Sequence, residues 1–179
     1  MQLSKEKRYL PEFVYGGIDG AITTFAVVAG AIGASLSSGI VLILGMANLL
    51  ADGFSMAVSN YLSTKSQLEI HRHHRDYRLF KREGMHPLKA GFATFISFVI
   101  IGIIPLLSFV LAVFLPSIKP LEFKASFVLT AFALAIVGGV KGLIIKKHPA
   151  RSSIETLIIG GIAALLAFAV GVLLKGVIS

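Results

Sequence analysis

The chain has 179 residues, 55% of them hydrophobic, with seventeen Lys and Arg against nine Asp and Glu and no cysteine. A mean hydropathy of +0.84 excludes a water-soluble domain of this size. The lack of cysteine excludes disulfides, thiolate metal sites and thiol nucleophiles, so any metal must be held by oxygen, imidazole or thioether.

Five apolar runs, at 12–35, 39–63, 90–115, 124–145 and 154–177, each supply the roughly 20 residues that a helix needs to cross a bilayer core. They predict an all-α membrane protein, five transmembrane helices in a single domain over 1–179. The first run is too long for a cleavable secretion signal and no small-residue cleavage site follows it, so the N-terminus is expected to be retained. On this run Glu12, Gly16, Asp19, Gly20 and Thr23 cluster on one helix face. On the second, Asn48, Asp52, Met56 and Asn60 recur every four residues and form a polar stripe along an otherwise apolar helix.

The connection from Lys65 to Lys89 is short and basic and predicts a cytoplasmic helical excursion ended by Gly84 and Pro87. Glu69, His71 and His74 in it are auxiliary metal candidates, since the two histidines share a face, but the surrounding arginines favour a headgroup-facing helix that contacts anionic lipid. The third run carries Thr94-Phe-Ile-Ser-Phe98. The fourth ends near Lys141, which is expected to snorkel to the headgroups. At the fifth, Ser152 and Glu155 match a capping box. Gly16 with Gly20, Gly138 with Gly142, and Ala163, Ala167 and Gly171 are spaced for close helix contacts. His86 and His148 carry no ligand expectation.

Charge gives an orientation. Fourteen of the seventeen basic residues fall in the N-terminal tail, the Lys65–Lys89 connection and the segment after the fourth run, which share one side. This excess places the N-terminus in the cytoplasm and, after five crossings, the C-terminus outside. Basic residues with that job call for no nucleic-acid partner.

The informative residues are the carboxylates. An aspartate at helix-centre depth costs ~2.5–3.5 kcal/mol on insertion scales, and such residues usually mark an ion path. With a rise of ~1.5 Å per residue, Asp19 and Met56 lie ~10 Å from the cytoplasmic end, with Asp52 one turn deeper. Carboxylate and amide oxygens suit hard or borderline divalent cations, and a thioether adds preference for softer transition metals. Asp19, Met56 and Asp52 are thus the candidate metal residues, Asn48 and Asn60 line the path, and Glu12 is a candidate entry point. Buried structural hydrogen bonds for the aspartates and gap-filling for Met56 are the plain alternatives.

The stretches Tyr15-Gly-Gly-Ile-Asp-Gly-Ala-Ile-Thr-Thr-Phe-Ala-Val-Val-Ala-Gly30 and Ala47-Asn-Leu-Leu-Ala-Asp-Gly-Phe-Ser-Met-Ala-Val-Ser-Asn-Tyr-Leu62 resemble the vacuolar iron transporter family, and the Thr94 run adds a third match. The resemblance implies a homodimer of five-helix protomers that exchanges ferrous iron or manganese for protons between the first helices of two subunits. It also implies that Asp19 and Met56 form the membrane metal site, with Asp52 beside them. Family members with a long acidic cytoplasmic domain differ from this chain, whose connection is short and basic. A short prokaryotic-type member in a cytoplasmic membrane is therefore expected. The function expected is divalent-metal/proton antiport out of the cytoplasm, with no enzymatic activity and no resident cofactor. An intramembrane aspartyl hydrolase, using paired carboxylates that share a proton, and a non-transporting scaffold are the alternatives.

Overall fold

The structure, a computed structural model, describes residues 9–72 and 86–178. Among these, five helical segments are long and apolar enough to cross a membrane: Leu10–Gly33, Ser38–Ile70, Pro87–Phe114, Pro116–Ile144 and Pro149–Val177. The helices are α1 (Leu10–Gly33), α2 (Ser38–Arg72), α3 (Pro87–Gly102), α4 (Leu107–Phe114), α5 (Glu122–Ile144) and α6 (Pro149–Ile178). Proline sits in the first turn of α1 and α3 and opens α6, where its missing N–H costs no intrahelical bond.

The third apolar run is not one helix. Pro105 interrupts it, and a 3-10 turn at Ile104–Leu106 joins α3 to α4. The ring can neither donate to the preceding turn nor fit beside it. Ser126 of α5 donates a 2.6 Å hydrogen bond to the Pro105 carbonyl, which fixes the break against its neighbour. A second 3-10 segment, Pro116–Leu121, leads into α5.

Helix ends follow local chemistry. Ser35 and Lys146 adopt left-handed backbone, both with φ of 56°. After α1, Ser35 N–H donates to the Ile32 carbonyl and Leu36 N–H to Ala31; after α5, Lys146 and Lys147 repeat the pattern onto Leu143 and Gly142. These paired bonds satisfy carbonyls that each helix leaves open. The expected capping box at the fifth span does not form, because α6 already begins at Pro149 and Ser152 lies inside its first turn. Glu155 pairs with Lys141 at 3.6 Å instead, so the Lys141 ammonium meets a carboxylate.

Helix α1 is the centre of the bundle, packed on α3 and α6 most extensively and on α5 and α2 as well. Its small residues allow this. A Cβ at Gly20 would stand 3.0 Å from Phe98 Cα, and one at Gly171 of α6 would stand 2.9 Å from Ala34 N, so backbones meet where those side chains are missing. The spaced small residues of all three sets thus serve contacts within the chain, Gly138 and Gly142 packing on the start of α6. Phe25, Val28, Val41, Leu106 and Phe109 form the core at the α1–α2 turn end. By contrast, α2 and α6 leave large apolar side chains exposed, among them Ile43, Phe54, Leu165 and Leu173, as a bilayer or a second subunit requires.

Candidate functional site

The α1–α2 hairpin brings its polar residues together in two layers. Near the start of α1 a cleft of about 410 Å³ is lined by Glu12 and Tyr15 from α1 and by Met56, Ser59, Asn60 and Ser63 from α2. Deeper, Asp19 of α1 and Asp52 of α2 approach closely enough for their charges to interact. The hairpin is antiparallel, so Glu12, Tyr15 and Asp19 descend one helix while Asn60, Met56 and Asp52 descend the other. Asp19 thus interacts with Asp52, and Met56 lines the cleft together with Glu12 and Tyr15.

The expected cluster on α1 divides between two neighbours. Gly16 and Gly20 face α3, where a Cβ would meet Thr94 and Phe98, whereas Glu12, Tyr15 and Asp19 turn toward α2. Thr23 is occupied locally, its hydroxyl donating to the Asp19 carbonyl at 2.9 Å.

The second-span stripe lies on a half-buried face as its period requires, with differing partners. Asn60 Nδ2 donates to Thr94 Oγ1 at 2.6 Å, and Asn60 Oδ1 accepts from Thr64 at 3.4 Å, so this amide holds α2 onto α3 as well as bordering the cleft. Asn48 Nδ2 and Glu12 Oε2 are buried atoms with no hydrogen-bond partner among the described residues. Glu12, with one carboxylate oxygen unpartnered among the described residues, thus lines the same cleft as Met56. Such a mixed oxygen and sulfur environment accommodates a borderline transition metal better than magnesium or calcium.

Among the described residues no three His, Asp or Glu side chains gather into a metal cluster. Glu69 is exposed and lies 4.0 Å from Lys65 on the same helix. His71 falls in the last turn of α2, and His74 lies outside the described residues. Tyr15, Ser59 and Ser63 were not foreseen as cleft residues, although the serines continue the Met56 face at helical spacing. Glu122, at the other end of the bundle, was also missed; a charge at the edge of an apolar run carries no signal until its burial is seen.

The VIT family model matches residues 10–79 and 72–172. A vacuolar iron transporter of Toxoplasma gondii is 27% identical over 95% of this chain and 76% of its own length. One from Plasmodium falciparum is 26% identical over 97% of this chain and 85% of its own. Vacuolar iron transporter 1 of Arabidopsis thaliana is 29% identical over 88% of this chain and 82% of its own. These relatives are eukaryotic and named for the vacuole, which overturns the expectation of a prokaryotic cytoplasmic membrane. That expectation leaned on a short basic connection, and basic residues report the sidedness of a span rather than the compartment it belongs to.

Proposed function

Because the chain belongs to the VIT family, we propose that it carries a divalent transition metal, ferrous iron foremost and manganese as a second cargo, across a membrane in exchange for protons. What supports this reading is that Asp19 of α1 and Asp52 of α2 lie near enough for their charges to interact, on the two helices that line the cleft of Glu12, Met56 and Asn60. Two like charges inside an apolar bundle repel each other, and a divalent cation between them relieves that repulsion. Protons compete for the same oxygens, so loading one cargo releases the other. Metal enters past Glu12 from the cytoplasmic side, is held by Asp19 and Met56, and is passed by or shared with Asp52.

The active unit in this reading is a homodimer. A two-fold axis beside α1 brings a second Asp19 and Met56 to the same centre and raises the oxygen count toward the six that divalent cations take. The basic connection after α2 contacts anionic lipid and replaces the long acidic capture domain. A hydrolase gains no support from this family membership, and Met56 has no part in such chemistry.

The test is divalent-metal uptake into proteoliposomes under an imposed pH gradient, with each variant checked for assembly. Asp19→Asn keeps the shape without the charge and should reduce uptake by ~10-fold or more, a loss that even residues supporting metal ligands can cause. Met56→Leu keeps volume and removes sulfur, so folding should survive while preference for softer metals falls. Wild-type flux and selectivity in both variants would reject the site.

A further inference from the structure

We propose that Glu122, held by Ser38, is a proton-binding site at the end of the bundle opposite Glu12. The Glu122 side chain is only 3% exposed, although it stands in the first turn of α5. One oxygen accepts a hydrogen bond from Ser38 Oγ, at the start of α2. The other, Oε2, is buried and has no hydrogen-bond partner among the described residues. Both residues line a cavity of about 300 Å³ completed by Leu42, Phe109, Ala112 and Lys119. This volume is enough for several waters beside the carboxyl. A buried carboxyl oxygen left unpaired costs a few kcal/mol, an expense that helix capping alone does not explain.

The surroundings select the ligand. Ser38 and Glu122 supply the side-chain oxygens on the cavity wall, and exposed Lys119 belongs to its lining. A divalent cation asks for about six oxygens, more than the side chains of this wall offer. A proton asks for one carboxylate. Among the described residues the charged groups near this end are Lys119 on the 3-10 segment, exposed Lys124 on α5, and Lys175 of α6, which donates to Ser35 in the α1–α2 turn. The lining residues from α2 and α4 carry no titratable side chain. Buried Ser126 and Thr130 continue inward from Glu122 at four-residue steps, toward the bundle centre where Thr24 of α1 is also fully buried. Proton binding at Glu122 stands without the transport reading, whereas its use in coupling rests on it.

The intact protein in lipid would be treated with a hydrophobic carbodiimide, which modifies protonated carboxyl groups in apolar surroundings, and mapped by peptide mass across a pH series. An adduct on Glu122 is expected at acid pH and should be lost as the pH is raised. An infrared pH titration should show a protonated-carboxyl band in the wild type that Glu122→Gln lacks. No adduct on Glu122 at any pH, an adduct indifferent to pH, or an unchanged band in Glu122→Gln overturns the proposal. Protection of Glu122 by Mn2+ at constant pH marks a metal site and overturns it as well. In proteoliposomes, Glu122→Gln should leave uptake insensitive to pH on the far side only. Absence of wild-type uptake would sink the transport reading and leave proton binding at Glu122 to the carbodiimide and infrared results, which separates the two failures.

Discussion

Gly20 shows how little freedom the central helix has. Its missing side chain lets α1 lie directly on α3, where a Cβ would stand 3.0 Å from Phe98 Cα, and Phe98 is itself fully buried. Overpacking at such a contact typically costs about 1–3 kcal/mol, and here backbone must move to relieve it. Gly20→Leu should therefore lose a stable fold, read as a lower melting temperature or aggregation in detergent. Gly161→Leu, where a Cβ meets nothing within 4 Å, is the control and should behave as wild type. Equal stability of the two variants would show the α1–α3 contact to be looser than described. Residues of this kind also mark the limit of what sequence conveys. Asp19 and Asp52 stand out as candidates in the sequence because a charge inside an apolar run is costly wherever the helix turns. The division of Gly16 and Gly20 from Glu12 and Asp19 was not, since those positions fall within one broad face and only the placement of α2 and α3 around α1 separates them.

Elements were legible to the extent that apolar length determines them, and opaque where a proline or an ion pair intervenes. The third run reads as unbroken because Pro105 is flanked by apolar residues, yet the ring divides it into α3 and α4. At α6, Ser152 and Glu155 have capping-box spacing, but Pro149 starts the helix a turn sooner and Lys141 takes the glutamate. Helix α2 is the opposite case, an element longer than its apolar run. Its 35 residues span ~52 Å, well beyond a ~30 Å hydrocarbon core, so its last turns project past the bilayer. The projecting end holds Lys65 and Glu69 as an exposed i, i+4 pair, an interaction worth at most a few tenths of a kcal/mol. That end and the basic segment after it serve lipid contact or metal delivery in the proposed scheme. Replacing His71, His73 and His74 together by alanine should change uptake by no more than about twofold, since neighbouring arginines disfavour a bound cation. Complete loss of uptake with assembly intact would identify this connection as the principal metal site.

For the whole molecule, orientation decides which side each site serves. The α1–α2 hairpin places Glu12, Met56 and Asn60 at one end and Ser38 with Glu122 at the other. The first end also holds the start of α3, where His86 N–H donates to the Tyr9 hydroxyl at 3.0 Å, and it is the end to which the basic tail and the Lys65–Lys89 connection attach. Fourteen of seventeen basic residues belong to segments at that end, and such segments resist translocation. In the orientation we propose on this ground, Glu12 faces the cytoplasm and Glu122 the far compartment, so the proposed flow of metal runs from the Glu12 cleft toward Asp52 and that of protons from Glu122 inward. The same proposal, with five crossings, predicts a C-terminus on the far side. A reporter fused at Ser179 and active only outside the cytoplasm, together with an N-terminal reporter active only within it, is the expected result. A Ser179 fusion active only in the cytoplasm would reverse both assignments, making the Glu122 cavity the cytoplasmic mouth and the Glu12 cleft the exit.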